Sequence, residues 1–469
     1  MDLLGALQLG RRSLETFQVA LDVTGQNIAN VATDGYTRRR IALTPGVSLR
    51  IPQGFLGTGV DVGSITSVRD AVIERQLRDE TSRQGYLETR QEALAGSLQA
   101  IDESSAPGIG AALSNLFDAF SSLSTNPENL ALRQSVVQAA NRVAQTLNAA
   151  YNRLQAQRTD LDGQIKTNVT QINGLTTRIA SLNNQITQLE SGGREASDLR
   201  DARQQAVTEL GRLVDTGVYE DRRGNLQVSL AATGDPLVSD STAYQLSAPA
   251  TAARGGLASV TVARGGVTVD LTDRLRGGRL GATLAVRDDS IPGTEAALNT
   301  LTTELVNKVN AVHRAGFTQA GAPGGDFFVI SPAGSAAAAG IAVNAAIGAD
   351  PTQIAAAGSP SPGDNANAIA LSEIRATQLA GLSAATPTEF LGALVARLGS
   401  EVSGNDASLT AQQDLVSQLQ SRRDEVSGVS LDEEAVRLSQ FQTGYAAAAK
   451  FINTIDELTK VALSLGTVA

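Results

Sequence analysis

The sequence predicts a mainly α-helical, elongated protein of several domains with one small β insert. Both ends of the 469-residue chain repeat apolar residues every seven positions, and a third such run covers residues 151–189. Aromatic residues make up only 3 % of the chain and tryptophan is absent. This composition suits long helices with narrow apolar seams better than a thick aromatic core. Between residues 217 and 286 the period changes from 3.6 to 2, which indicates strands.

The two terminal helices, predicted over residues 1–31 and 431–469, each carry one apolar stripe. A sustained period of 3.5 residues places such side chains on one side of an otherwise polar helix. The rows are Leu7, Leu14, Leu21 and Ile28 with Leu3, Phe17 and Val31, and then Leu431, Leu438, Tyr445 and Ile452 with Phe441, Ala448, Ile455 and Ala462.

Pairing the two ends with each other could cover both stripes, but a two-helix hairpin is barely stable alone. We therefore expect further helices, from other copies of the chain or from similar proteins, to cover them. The predicted assembly interface consists of Leu7, Leu14, Phe17, Leu21, Ile28, Leu438, Phe441, Tyr445, Ile452 and Ile455.

The interior of the chain alternates between helical and extended segments. The glycine- and proline-rich residues 37–69 read as an extended connector, and the expected helices are 71–101, from Asn126-Pro127-Glu128 to Glu190, 196–214, 293–314, 364–380 and 387–427. The long apolar run is expected to pack against helices 71–101 and 387–427. The predicted arrangement is a linear rod with a terminal coiled-coil domain (1–69 and 428–469), a central helical bundle (70–216 and 291–427) and an outer β domain (217–290).

Composition excludes several classes of function. A formal net charge of −10 argues against nucleic-acid binding, and no run of about 18 apolar residues predicts a membrane span. Charged and polar residues interrupt the first 30 positions, so we expect no cleaved secretory signal. The absence of cysteine excludes disulfides and thiol chemistry.

The sequence offers no convincing catalytic, cofactor-binding or metal-binding residues. His313 is the only histidine and is expected to be structural or solvated. The acidic trio 432–434 reads as favourable charge at a helix start, with a capping box between Ser430 and Glu433. The acidic pair 288–289 and the glycine-rich segment 277–281, interpreted as the last turn of the β insert, are also assigned structural roles.

Two terminal segments resemble the axial proteins of the bacterial flagellum. Residues 21–36 (LDVTGQNIANVATDGY) are similar to the N-terminal signature of rod, hook and hook-associated proteins, with Asn27, Asn30, Gly35 and Tyr36 as its characteristic residues. Residues 427–434 (SGVSLDEE) and 442–445 (QTGY) are similar to the C-terminal counterpart. The sequence departs from the family at Asp34, where proline is common. Internal segments resemble the junction members of that family: DLRDARQ (198–204), PLVS (236–239), GRLG (278–281), VNAVH (309–313) and GGDFF (324–328).

The resemblance implies a non-enzymatic structural subunit that self-assembles through its terminal helices at the junction between hook and filament. It implies as partners other copies of the chain in a ring, the hook protein, a second junction protein and an export chaperone. It also implies an extracellular location in the flagellum, reached by export without a cleaved signal.

Three alternatives remain open at this point. A hook or distal-rod subunit would share the ends but lack the 151–189 coiled coil. A flagellin would lack the signature between Asn27 and Tyr36, and a cell-wall hydrolase on a helical scaffold would need an acid–base pair.

Overall fold

A computed structural model describes residues 3–33, 35–51, 54–101, 108–192, 195–332 and 334–466 of the chain. The first two residues of the predicted N-terminal helix, the departure at Asp34 and the last three residues of the chain lie outside these ranges. The described residues confirm a mainly helical fold with small antiparallel sheets.

Twelve α-helices are present in the described residues, four of them longer than 30 residues. They are α1 (Leu3–Ala29), α2 (Ala71–Ile101), α3 (Ile109–Thr125), α4 (Leu130–Glu190), α5 (Ser197–Leu213), α6 (Gly278–Ala285), α7 (Ile291–Ala315), α8 (Ala337–Gly340), α9 (Ala345–Ala349), α10 (Ala366–Glu373), α11 (Pro387–Ser427) and α12 (Leu431–Gly466). The 61 residues of α4 make it about 90 Å long.

The strands pair only in antiparallel fashion. They are β1 (Arg39–Pro45), β2 (Leu49–Ile51), β3 (Gly54–Leu56), β4 (Val60–Ser67), β5 (Thr216–Glu220), β6 (Leu226–Leu230), β7 (Pro236–Ser239), β8 (Thr242–Ala243), β9 (Leu246–Ser247), β10 (Thr261–Arg264), β11 (Val267–Asp270), β12 (Phe328–Ile330) and β13 (Ile341–Val343). β1 pairs with β4, and β2 with β3, in the predicted connector. The remaining sheets have the strand orders β5-β6-β7-β8, β11-β10-β9 and β12-β13.

Two large apolar cores lie at different points along α4. The first joins the beginning of α4 to α3, α7, α10 and the start of α11. The second joins the later part of α4 to α5, α6 and the strands from β5 to β10. Ile165, Ile172 and Ile179 are fully buried in this second core.

The apolar run of α4 is therefore mostly buried, as expected, but the prediction of what covers it was only partly right. Helix α2 contacts the beginning of the run, where Gln157 Nε2 donates to the Ala93 carbonyl oxygen. The later half of the run packs on α5 and the β strands, while α11 packs mainly on α2. The reason is periodicity, which shows that a helix has an apolar side but does not identify its partner.

Three predicted boundaries were also wrong. Helix α4 begins at Leu130, because the side chain of Asn129 accepts hydrogen bonds from the N–H groups of Ala131 and Leu132. The carbonyl of Pro127, three residues earlier, instead accepts from Arg133 Nε.

The β-rich segment ends well before residue 290. The last strand of this segment ends at Asp270. The GRLG segment forms the start of α6, which continues through a π-helical turn (Val286–Ser290) into α7. Gly278 has a φ of +64°, and a Cβ there would lie 2.6 Å from the backbone of Leu213. The glycines therefore allow close packing at a helix start rather than a turn between strands. The helix predicted over 364–380 is also shorter, ending at Glu373 before a 3₁₀ turn.

His313, expected to be structural or solvated, is fully buried at the end of α7. Its Nδ1 donates to the carbonyl oxygen of Gly325 (2.8 Å), and its Nε2 accepts from the N–H of Ala355 (2.9 Å). Burial lowers the pKa of His313, although the Gly325 carbonyl and the Asp326 carboxylate oppose this shift. The folded protein therefore favours the neutral ring.

We expect the protein to lose stability as the pH falls below about 6.5, the ordinary pKa of histidine, because the unfolded chain then binds the proton more readily. Chemical denaturation at pH 7.5 and pH 5.5 measures this loss. His313→Leu should lower the free energy of unfolding at pH 7.5 by about 2 kcal/mol, and should weaken the pH dependence within this window. An equal pH dependence in wild type and variant would contradict the assignment.

Candidate functional site

The chain's two ends meet as an antiparallel helix pair. Gly10 of α1 lies against Ile452 of α12, and Gly444 lies against the Phe17 ring, so positions rise along one helix as they fall along the other. A Cβ on Gly10 would be 2.5 Å from Ile452 Cγ1, and one on Gly444 would be 2.6 Å from Phe17. Small residues thus allow the two helices to approach closely.

The buried side of α1 is offset from the predicted leucine row. Its most buried residues are Ala6, Gly10, Thr16, Ala20, Val23, Thr24 and Asn27. All five predicted positions on α1 are only half-buried: Leu7, Leu14, Phe17, Leu21 and Ile28. On α12, Ile455 is buried, Leu438, Phe441 and Ile452 are half-buried, and Tyr445 is 39 % exposed. Of the predicted residues, Phe17 and Ile452 therefore take part in the intramolecular contact and Ile455 is buried, while the others are half-buried or exposed.

Two apolar strips on α12 flank its contact with α1. At 100° per residue, Leu431, Leu438 and Tyr445 fall on one side of that contact, and we call them the leucine–tyrosine strip. The other side, which we call the valine–phenylalanine strip, consists of Val436, Phe451, Leu458 and Val461, with exposed fractions of 58, 40, 51 and 56 %.

Asn27 is the centre of a buried polar network between the two ends. Its Nδ2 donates to the carbonyl oxygen of Arg39 (2.9 Å) and to Glu434 Oε2 (3.0 Å). Its Oδ1 accepts from the Arg39 N–H (3.0 Å) and from the Tyr36 hydroxyl (2.9 Å). Glu434, only 1 % exposed, also accepts from Arg437 Nη1. One asparagine thereby links α1, β1 and α12.

The other signature residues have distinct positions around this network. Burial raises the pKa of Tyr36, so its phenol keeps the proton that it donates to Asn27. Gly35 has a φ of +77°, a left-handed conformation that favours glycine. Asn30 is bonded only locally, through Nδ2 to the carbonyl oxygen of Gln26 and through Oδ1 to Thr33.

Arginines next to this network fasten the terminal helices to the rest of the chain. Arg38 Nη1 lies 2.7 Å from Glu433 Oε2, and its N–H donates to the carbonyl oxygen of Ser427 at the end of α11 (2.9 Å). Arg39 pairs with Asp198, and Arg69 pairs with Asp201. We call the group Asn27, Tyr36, Arg38, Arg39, Arg69, Asp198, Asp201, Glu433 and Glu434 the terminal joint.

The DLRDARQ segment supplies the opposite side of this joint from the first turns of α5. Besides Asp198 and Asp201, Arg200 pairs with Glu190 and Glu220, and Gln204 donates to Glu74. Arg203 donates to Asn183 and to the Gly224 carbonyl, and its burial lowers its pKa to about 10, which leaves it charged at neutral pH. All five polar side chains of the segment hold neighbouring elements together.

The acidic trio 432–434 was predicted to stabilise only its own helix, but two of its residues also make long-range contacts. Glu433 pairs with Arg38, and Glu434 bonds to Asn27, 407 positions away in the sequence. The basic run 38–40 and the acidic trio carry the complementary charges that could have suggested this contact.

Metal-binding and membrane-spanning features are not found in the described part of the chain. Among residues 3–33, 35–51, 54–101, 108–192, 195–332 and 334–466, no group of three or more His, Asp or Glu is placed to hold a metal ion. No helix within those same ranges is long and apolar enough to cross a membrane.

Long terminal helices that pair across the chain, an exposed apolar surface beside that pair and a polar joint define a class of structural assembly proteins. Three family models match the chain: "Flagellar hook-associated protein FlgK helical domain" over residues 95–328, "Flagellar basal body rod FlgEFG protein C-terminal" over 420–465, and "Flagella basal body rod protein" over 7–37.

Curated relatives are named flagellar hook-associated protein 1. The protein of Bacillus subtilis strain 168 is 28 % identical over 96 % of each chain, and that of Escherichia coli K12 is 25 % identical over 95 % of this chain and 96 % of the relative. The Salmonella typhimurium LT2 protein is 32 % identical over 68 % of this chain and 58 % of its own length. A solved structure of the hook junction protein FlgK from Burkholderia pseudomallei shares the fold, with a TM-score of 0.67, 19 % identity, and coverage of 75 % of this chain and all of that one.

The chain belongs to the flagellar hook-associated protein 1 family. It is a structural component of the bacterial flagellum at the hook–filament junction, and its relatives are structural proteins rather than enzymes. The alternative of a hook or distal-rod subunit is not favoured, because the central helical-domain match is to the hook-associated type.

Proposed function

We propose that copies of this chain form a ring in the axial tube through the apolar strips beside the α1–α12 pair. Each α12 carries one strip on either side of its contact with α1, so each copy can contact a different neighbour on each side. Such a head-to-tail arrangement of unlike surfaces closes into a ring or continues as a helix. The proposed interface also includes the predicted residues Leu7, Leu14, Leu21, Leu438 and Tyr445.

The observation that carries the proposal is the exposure of large apolar side chains on the terminal helices. Leu4, Leu431, Val436, Leu458 and Val461 are each more than half exposed. Contiguous exposed apolar surface typically marks a protein interface. The terminal joint supports the same proposal, because it fixes the direction in which the strips leave the rest of the subunit.

The proposed partners, export route, location and domain order follow from family resemblance. We propose that the hook protein and a second junction protein contact the ring from its two sides, and that an export chaperone holds the terminal helices before assembly. Export proceeds without a cleaved signal, and the assembled subunit lies outside the cell and acts without catalysis. The terminal, central and β-rich domains occupy successive layers from the axis outward, with the β-rich strands outermost.

The test introduces two negative charges on the valine–phenylalanine strip. Leu458→Asp with Val461→Asp should leave the two interior cores intact, because both side chains lie outside them. We expect the variant to be secreted in normal amounts but absent from hook tips in electron micrographs, because buried carboxylates would face apolar neighbours.

The matched control places the same charges elsewhere on the subunit. Leu189 and Val267 are 60 and 64 % exposed, on the end of α4 and on β11. Leu189→Asp with Val267→Asp should assemble normally. Normal junctions with the α12 variant would overturn the proposed interface, and reduced secretion is scored separately by measuring protein in the medium.

A further inference from the structure

A cleft of about 960 Å³ lies between α2 and the first sheet of the β-rich region. One wall is a single face of α2, from Arg75 to Tyr86, which spans about 16 Å. The opposite wall includes β5, whose five residues span about 17 Å. Each wall is therefore long enough to accommodate about five residues of an extended chain.

β5 is an edge strand, and four of its five residues, 216–219, line this cleft. The sheet order is β5-β6-β7-β8, so β5 pairs only with β6. The carbonyl of Asp215 accepts from Ala231, and the N–H of Asp221 donates to Asn225, so the odd-numbered residues bond toward β6. In an antiparallel ladder the alternate residues, here Thr216, Val218 and Glu220, direct their N–H and C=O groups outward. Of these three, Thr216 and Val218 line the cleft.

The charge of the cleft is opposite to that of the chain. Four arginines line it, Arg75, Arg78, Arg83 and Arg276, against the carboxylates of Asp79 and Asp215. Arg78 pairs with Asp79 (3.1 Å) and Arg83 with Glu80 (3.5 Å). Arg75 and Arg276 then remain against Asp215, which leaves the cleft with a small net positive charge. The whole chain carries a formal charge of −10. A net positive groove on an acidic protein favours a negatively charged occupant.

We propose that this cleft binds an extended acidic segment of a partner protein, which adds to the free edge of β5 as a further strand. The backbone of the segment pairs with Val218, and its carboxylates face the arginines of α2 and Arg276. Addition of a strand to an exposed sheet edge is a common mode of peptide recognition, in which backbone bonds supply affinity and side chains supply specificity. This proposal is independent of assembly through the terminal helices.

The test uses the full-length protein with two synthetic eight-residue peptides, one alternating valine with glutamate and the other alternating valine with lysine. We expect the glutamate peptide to bind at least tenfold more tightly by fluorescence anisotropy, and to shift the backbone amide resonance of Val218. Arg75→Glu with Arg276→Glu should weaken its binding at least tenfold, because both arginines are exposed and contribute charge rather than packing.

Val218→Pro tests the strand edge itself. This substitution removes an outward N–H and leaves the hydrogen bonds of Gly217 and Tyr219 to β6 intact. Proline is tolerated at such an outward position of an edge strand. The matched control is Thr268→Pro on β11, the edge strand of another sheet, where Leu271 bonds toward β10 and Thr268 therefore points outward. We expect Val218→Pro to abolish binding and Thr268→Pro to preserve it.

Equal binding of the two peptides, or equal binding by wild type and Val218→Pro, would overturn the proposal. If the free protein instead dimerised with rising concentration and shifted Val218 without peptide, the occupant would be a second copy of the chain, and the proposal would also be wrong. Both proline variants are first checked for the wild-type circular dichroism spectrum. If Val218→Pro alone is unfolded, the arginine variant decides the outcome.

Discussion

Replacing Arg287 by methionine is expected to lower the free energy of unfolding by about 3–5 kcal/mol. Its side chain is fully buried in the π-helical turn between α6 and α7. Nη1 lies 2.7 Å from Asp162 Oδ1 and donates to the carbonyl oxygen of Ala258 (2.8 Å), while Nε and Nη2 bond to Asp288. Removing the guanidinium takes a buried ion-pair partner from Asp162, which keeps only Lys166 and the Ala258 N–H, and leaves Asp288 with Arg254 alone. Urea denaturation monitored by circular dichroism measures the loss.

The double variant Arg287→Met with Asp162→Leu separates the cost of an unpaired charge from the cost of lost packing. Because the buried carboxylate of Asp162 is then absent and no longer needs the missing guanidinium, the double variant should recover part of the lost stability. A double variant no more stable than Arg287→Met would contradict this explanation.

A fall in pH should reduce the stability that the Asp162–Arg287 pair contributes to the fold. Burial alone would raise the pKa of Asp162, but hydrogen bonds from Lys166, the Ala258 N–H and Arg287 bring it below its usual value. The pair therefore stabilises the fold above the unfolded pKa of about 4, and that contribution is lost as the pH falls through the folded pKa.

Asn27→Asp is expected to prevent assembly at hook tips. The amide that donates to Glu434 would become a carboxylate beside a second, buried carboxylate, and the bond to the Arg39 carbonyl would also be lost. Losing a hydrogen bond to a charged group and adding like-charge repulsion should together cost about 3 kcal/mol. The paired terminal helices would separate, and electron microscopy of hook tips should show no junction protein.

The matched control is Asn30→Asp, one turn further along the chain. Asn30 is also a signature residue, but its Nδ2 donates only to the Gln26 carbonyl at an exposed position. It should assemble normally. Adding Glu434→Gln to Asn27→Asp restores a donor and should restore assembly. Equal defects in the Asn27 and Asn30 variants would contradict the role of the network.

The helices were predictable where their ends carry local signals. Residues 71–101 and 387–427 were predicted and found as Ala71–Ile101 and Pro387–Ser427, the latter with a capping box of Thr386 and Glu389. The short helix α6 was missed, because eight residues with two glycines show too little periodicity.

The site was less predictable than the helices. Asn27 and Tyr36 were identified only by resemblance, since neither side chain's partners follow from spacing. The contact between Asn27 and Glu434 and that between Arg39 and Asp198 join residues 407 and 159 positions apart, so they exist only once the chain has folded. The leucine rows correctly indicated terminal helices, but not that glycines would lie opposite Phe17 and Ile452 where those helices meet. The assembly role of the rows remains a prediction.

The measurement that tests the assembly interface most directly is the accessibility of a single cysteine. The chain has no natural cysteine, so Leu458→Cys and Val267→Cys each introduce one thiol at an exposed apolar position. We expect maleimide to label both at similar rates in the free subunit. In isolated hook–filament junctions, labelling at Leu458→Cys should fall at least tenfold, while labelling at Val267→Cys should stay unchanged. An undiminished rate at Leu458→Cys would contradict the proposal that this face of α12 is covered by a neighbouring subunit.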